Sequence, residues 1–225
     1  MAAKDVDGHR ARLRARFADG GGRGLADYEL LELALTYAIP RKDVKPVAKA
    51  LMAKFGSLGG VLSAGAGDLA AVDGMGAGSA AFVGVVAQLA LRVRREKLAD
   101  KPLLAGQLEL LDYLYTAFAG KSREELHVLY MDGQLRLIAD ETVFTGTLAQ
   151  VTASARDILK MALELNAAGL VVAHNHPSGE PMPSGADLAF TVQLVQAAEA
   201  MGIRVHDHVI VGAERHYSFR GEGRL

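Results

Sequence analysis

The chain has 225 residues, 25 Lys and Arg against 26 Asp and Glu, and no cysteine. Without cysteine there is no disulfide framework, no thiolate nucleophile and no iron–sulfur cluster, so any metal must be held by His, Asp or Glu. Half the residues are hydrophobic and 23% are charged, a globular balance that argues against long disorder.

The N-terminal residues are polar and Arg-rich with no apolar h-region, and no run approaches the ~18 apolar residues of a membrane span. A cytoplasmic protein with no membrane partner is therefore expected. The first hundred residues read as helices only. A short basic segment over 9–17 is broken by Gly20-Gly21-Gly22. Asp27 is placed to cap a helix over 28–37, with Leu30, Leu31, Ala34 and Leu35 on its apolar face. Asp43 is placed to cap the next, with Pro46 in its first turn, Val47, Ala50, Leu51 and Phe55 inward and Gly56 as its stop. Ser57 and Asp68 open two short helices, Gly74-Met75-Gly76 breaks the second, and a longer helix follows over 79–97. Residues 98–106, with Pro102 and Gly106, read as a linker between a helical domain, 1–98, and a second domain, 104–225.

The second domain opens with a helix over 108–118. Two apolar alternations, 126–131 and 135–144, are joined by Asp132-Gly133, a hairpin signature. A third strand over 147–151, a helix over 154–168 and a buried-type strand over 169–173 follow. A loop over 174–183, a helix from Ser184 to Met201 and a last strand over 203–211 complete the chain. Strands mixed with helices in this order predict an α/β (α+β) sandwich.

His174 and His176 leave an apolar strand at i and i+2, which puts both imidazoles on one side of an extended chain. Asp187 falls in the first turn of the next helix, where the helix N-terminus favours an anion. Two imidazoles and one carboxylate make a three-ligand zinc set with the fourth position open for water, the catalytic rather than structural pattern. A carboxylate that is not a ligand is then needed as general base. Glu141 is the favoured candidate, with Asp140 beside it and Glu164 on the following helix as alternatives. The plainer reading of the same residues is a hydrogen-bonded histidine pair and a Ser-x-x-Asp helix cap. Spacing alone does not separate the two.

His174-x-His176-Pro177 followed by Ser184-x-x-Asp187 resembles the JAMM (MPN-plus) metalloprotease motif. More narrowly, residues 141–147, 165–168, 174–179, 183–187, 207–212 and 217–219 resemble the bacterial RadC family. The likeness continues upstream through 25–31 and 55–58 and so covers nearly the whole chain. It implies an MPN-type α/β domain behind a helical module, with Zn²⁺ held by His174, His176 and Asp187. Glu141 would be the general base, and Ser184 would orient the site or stabilise an oxyanion. The implied activity is that of a zinc metallopeptidase or isopeptidase, in which a zinc-bound water attacks a carbonyl of a protein or peptide whose identity is not implied. One departure is Ala155-Arg156, where relatives commonly carry Pro-Arg. Asp207 and His208 match the family and read as a buried hydrogen-bonded pair behind the site, whereas His206 reads as structural.

Residues 72–80, with Gly74 and Gly76, resemble a helix-hairpin-helix turn, whose backbone N–H groups can hold a phosphate. The first hundred residues carry 15 basic and 11 acidic side chains, and the remainder 10 and 15. With Arg92, Arg94 and Arg95 at the end of the following helix, these features give a second reading. It is a DNA-binding protein of repair or replication, or a metal-dependent nuclease, with the MPN domain as scaffold. A plain tight turn, and arginines that complement a helix dipole, account for the same residues.

Overall fold

The computed structural model describes residues 2–99, 102–103, 106–145 and 152–225. The chain forms two compact units, Met1–Ala90 and Leu91–Leu225.

The first unit contains α1 (Ala2–Gly20), α2 (Asp27–Ala38), α3 (Lys45–Phe55), α4 (Leu58–Ser63), α5 (Ala66–Ala70) and the first turns of α6 (Ala77–Ala99). Their apolar stripes meet in a core of Leu31, Leu35, Val47, Ala48, Leu51, Val61, Leu69 and Val83. Two local expectations change. Asp27 is the first helical residue rather than the cap, and the N–H of Ala26 donates to Glu29 Oε2. On α3 the inward residue is Ala48, whereas Ala50 is exposed, and Asp43 accepts the Lys45 N–H from one position outside the N-cap, Val44. Ser57 caps α4 by accepting the Gly60 N–H. The glycine turn after α5 is a packed one. Gly74 has a φ of 83°, and a Cβ there would lie 2.6 Å from Val47 Cγ2, so both backbone and space require glycine. Ser79 Oγ accepts the Gly76 N–H and donates to the Gly76 carbonyl.

α6 departs from the expectation about apolar runs. Its 77–98 stretch is long and apolar enough, by length and composition, to cross a membrane, and 17% of its most apolar 18 residues are buried. Ala80 and Val83 near its start belong to the helical core.

The second unit is a five-stranded sheet covered on both faces. Its strands are β1 (Glu125–Met131), β2 (Leu137–Thr145), β3 (Gly169–Asn175), β4 (Arg204–Val211) and β5 (His216–Ser218), in the order β2-β1-β3-β4-β5. β1 is antiparallel to β2 and β3, β3 is parallel to β4, and β4 is antiparallel to β5. Leu126, Val128, Tyr130, Leu170 and Val172 pack against α8 (Thr152–Glu164) and α9 (Gly185–Ala200) through Ile158, Leu159, Phe190 and Leu194. Leu129, Met131, Val171, Ala173 and Val209 pack on the other side against Leu110, Leu114 and Phe118 of α7 (Gln107–Phe118) and against Leu98 and Leu103. β3 is consequently buried at every position, as expected of a strand with both faces covered. The packing of Leu98 and of Leu91 here explains why the units divide inside α6, ahead of 98–106.

The β1–β2 hairpin forms, but by a wider loop than Asp132-Gly133 suggests. Asp132 Oδ1 accepts the N–H groups of Gln134 and Arg136, and the left-handed residue is Leu135, with a φ of 62°. α8 stops at Glu164 because Asn166 takes a left-handed φ of 56° and the Ala167 N–H returns to the Ala162 carbonyl. The strand expected over 147–151 lies outside the described residues.

Asn175, buried at the end of β3, replaces main-chain pairing at the entrance to β1. Its Oδ1 accepts the Glu125 N–H at 2.8 Å and its Nδ2 donates to the Arg123 carbonyl at 3.0 Å. The two bonds bracket Glu124.

Two consequences are measurable. Arg16, donating at 2.8 Å, and the Ala26 N–H hold the Glu29 carboxyl below its ordinary 4.5, at about 2. A carboxyl depressed on folding contributes stability that is present above its unfolded value and lost as pH falls through the folded one. Thermal melts of the full chain should therefore lose stability between pH 4.5 and about 2 more steeply for wild type than for Glu29→Gln. Equal slopes would exclude a contribution from the pair. Asn175→Ala leaves the Arg123 carbonyl and Glu125 N–H without this partner, and should cost about 1–3 kcal/mol in denaturant unfolding of the sheet unit. A cost within about 0.3 kcal/mol would mean that water replaces the clamp.

Candidate metal centre

The group is built at the junction of β3 and α9. His174 is the penultimate residue of β3 and fully buried. The chain stays extended past the strand end, since the His176 N–H donates to the Val211 carbonyl, so both imidazoles leave on the same side. Asp187 is the third residue of α9, held by a reciprocal capping box. The Ser184 N–H donates to Asp187 Oδ2 at 2.6 Å, and the Asp187 N–H donates to Ser184 Oγ at 3.2 Å. This is the local arrangement that Ser-x-x-Asp encodes.

The nitrogens His174 Nε2 and His176 Nε2 lie 3.0 Å apart. Asp187 Oδ1 is 3.3 Å from the first and Oδ2 is 3.5 Å from the second. Glu124 joins them: one ligand atom from each of Glu124, His174, His176 and Asp187 falls within 4.8 Å of the others. Its position follows from sheet register. β1 sets Leu126 opposite His174, and the same antiparallel register continued by two residues sets Glu124 beside His176.

The electrostatics suit a cation. Burial pushes the His174 imidazole below its ordinary pKa, against the pull of Asp187. Burial would raise the Asp187 carboxyl, but the two facing imidazoles and the cap at Ser184 outweigh it, and the group stays well below the usual carboxylate range. The facing Asp187 carboxylate holds His176 up. His176 Nδ1 lies 2.8 Å from the main-chain carbonyl of Glu180. A carbonyl only accepts, so the ring carries its N–H there and turns Nε2 inward. Two ring nitrogens and a carboxylate converging this closely need positive charge between them, supplied by a proton or a divalent ion. Two imidazoles with carboxylate oxygens fit zinc by donor type.

The structure thus brings together His174, His176 and Asp187 and places Ser184 at their edge as the cap of α9. With its oxygen accepting from Asp187, the Ser184 hydroxyl keeps its own hydrogen to donate. It does not bring in Glu141. That residue lies on the edge strand β2, paired with Val128, exposed and outside the group. Asp140 accepts from Tyr113 and Arg95, and Glu164 pairs with Lys160 at 3.8 Å. The carboxylate at the histidines is Glu124, which in sequence is one member of the polar run Ser122-Arg123-Glu124-Glu125 and carries no local mark. Only the pairing of β1 with β3 identifies it.

Behind the ligands, Asp207 and His208 are both buried, but their side chains are not paired to each other. The Asp207 carboxylate accepts the N–H groups of His208 and Arg220 and the Ser218 hydroxyl. The His208 ring turns to His174 instead, 2.8 Å from Nε2 to Nδ1. His206 stands apart, against Gly169, where a Cβ would lie 2.5 Å from its Nε2. Of the arginines read as DNA contacts, Arg92, Arg94 and Arg95 are all exposed. Arg94 lies 3.4 Å from Asp112, and Arg95 is engaged with Asp140.

A family model described as a RadC-like JAB domain matches residues 105–224. A UPF0758 protein of Rhodobacter capsulatus is 46% identical over 213 residues, covering 95% of this chain and all of the relative. A UPF0758 protein of Ruegeria pomeroyi is 43% identical over 217 residues, covering 96% of this chain and 97% of the relative. The matched domain contains the whole group from Glu124 to Asp187. With its five-stranded sheet, its histidine pair and its capped aspartate inside that match, the chain belongs to the RadC family and carries a RadC-like JAB domain.

Proposed function

We propose that this chain is a zinc-dependent hydrolase of the JAMM type, acting on a peptide or isopeptide carbonyl, with Glu124 rather than Glu141 as the general base. The observation that carries this is the convergence of Glu124, His174, His176 and Asp187 within 4.8 Å. His174, His176 and Asp187 would hold a zinc ion, which would supply Lewis acidity and an activated water. The remaining tasks fall to the chain. Glu124, fixed through its neighbours by Asn175, accepts the proton of the attacking water and returns it to the leaving group. The Ser184 O–H is the available donor for an oxyanion. Substrate approaches from the His176 side, because the His174 side chain is 0% exposed and that of His176 is 16% exposed.

A carbonyl substrate is favoured over a phosphodiester by the count of sites. Among the described residues there is one such group of potential ligands, whereas in-line phosphodiester cleavage commonly clamps both oxygens between two ions.

Metal analysis of the purified protein should find about one zinc per chain, removed by chelator and absent from Asp187→Ala. Zinc that persists undiminished in Asp187→Ala would overturn the assignment. Against panels of peptides, isopeptide-linked conjugates and DNA, Glu124→Gln should keep its zinc and lose about 10²–10⁴-fold in kcat, while Glu141→Gln stays within a few-fold of wild type. The reverse pattern would return the base to Glu141, and chelator-sensitive cleavage of DNA alone would replace the substrate class.

A further inference from the structure

Two side chains behind the ligands, Thr191 and His208, join them in an unbroken chain of short hydrogen bonds. Thr191 Oγ1 lies 2.6 Å from the Asp187 main-chain carbonyl and 2.6 Å from His208 Nδ1. His208 Nε2 lies 2.8 Å from His174 Nδ1. We infer that Thr191 and His208 act as a one-way relay that fixes His174 in the tautomer whose Nε2 is free for a metal, which makes Thr191 a positioning residue two side chains removed from the ion.

The direction follows from counting hydrogens. A carbonyl oxygen only accepts, so the single hydroxyl hydrogen of Thr191 goes to Asp187. The Thr191 oxygen can then only accept from His208, so His208 Nδ1 carries a hydrogen. His208 is 1% exposed, and its two ring nitrogens are taken by the Thr191 hydroxyl and by His174 with no carboxylate bonded to either, so the ring is neutral and carries one N–H. His208 Nε2 is therefore a lone pair, His174 Nδ1 must donate to it, and His174 Nε2 is left bare. The ring plane of His208 is fixed independently. It stacks on Phe219 with centroids 4.8 Å apart and an 11° tilt, and Phe190 meets its edge at 5.9 Å.

A threonine that bonds back to the carbonyl four residues earlier is an ordinary helical habit. Its lone pair is put to use here. Thr191 lies one turn beyond Asp187 on α9, so the helix that supplies a ligand carboxylate also sets the tautomer of a ligand on β3. Replacing the hydroxyl by a methyl removes the acceptor from His208 Nδ1. The ring can then carry its hydrogen on Nε2, facing His174, and this forces the His174 hydrogen onto the nitrogen that the ion needs. Outer partners that orient ligating histidines are worth about 10–100-fold in metal affinity.

This inference rests on the metal-centre reading, and its test separates the two. Zinc affinity is measured by competition with a chromophoric chelator for wild type, Thr191→Ser and Thr191→Val. Histidine ¹⁵N shifts are recorded on the metal-free proteins at an alkaline pH above which the His174 and His208 signals no longer change. The expected result is an Nδ1–H tautomer at both His174 and His208 in wild type and in Thr191→Ser. Thr191→Val should move His174 towards Nε2–H and bind zinc about 10–100-fold more weakly. An Nε2–H tautomer at His208 in wild type overturns the relay without any variant. So does a Thr191→Val protein that loses zinc with the His174 tautomer unchanged, or one that keeps both tautomer and affinity. If wild type takes up no zinc, the metal reading falls and the tautomer comparison alone decides the relay.

Discussion

Asp187 is 1% exposed and charged, between two imidazoles. A buried carboxylate is costly unless paired and hydrogen-bonded, and the surrounding architecture answers that cost. The N-terminal turn of α9 faces it, Ser184 closes the cap, and two ring nitrogens come to meet it. β3 runs between β1 and β4 so that His174 and His176 leave its end on the side of α9. The apolar packing of Leu126, Val172, Phe190 and Leu194 sets the strand and the helix at that spacing. The same strand and helix thus carry both the core packing and the site.

What was legible in the sequence was what depends on neighbours along the chain. Two histidines at i and i+2 share a side of a strand, and Ser184 and Asp187 form a capping box, whatever the rest of the molecule does. The same locality made the RadC likeness easy to see. Glu124 was illegible for the opposite reason. Its closeness to His176 is created by the antiparallel pairing of β1 with β3, and nothing around residue 124 announces that pairing. Glu141 belongs instead to the edge strand one place further out.

The smaller differences between sequence and structure have the same root. Asp132-Gly133 does mark the hairpin, but the loop closes on the Asp132 side chain and puts its left-handed residue at Leu135. Asp27 and Asp43 each lie one place away from the N-cap, because the helices start where their apolar faces dock. Gly74 looks like a phosphate-binding glycine in isolation. In the folded unit it is also the one residue type that fits against Val47.

Asn175 lies between the two histidines, and its side chain faces a different duty from theirs, holding the backbone on both sides of Glu124. The end of β3 thus ties the two histidines and the backbone around Glu124 into a single opening unit. A local fluctuation that frays those residues releases the imidazoles and the glutamate together, so their amide protons should exchange as one block. The molecule has no inexpensive route to a half-assembled group, in which the histidines keep their places while Glu124 has drifted away.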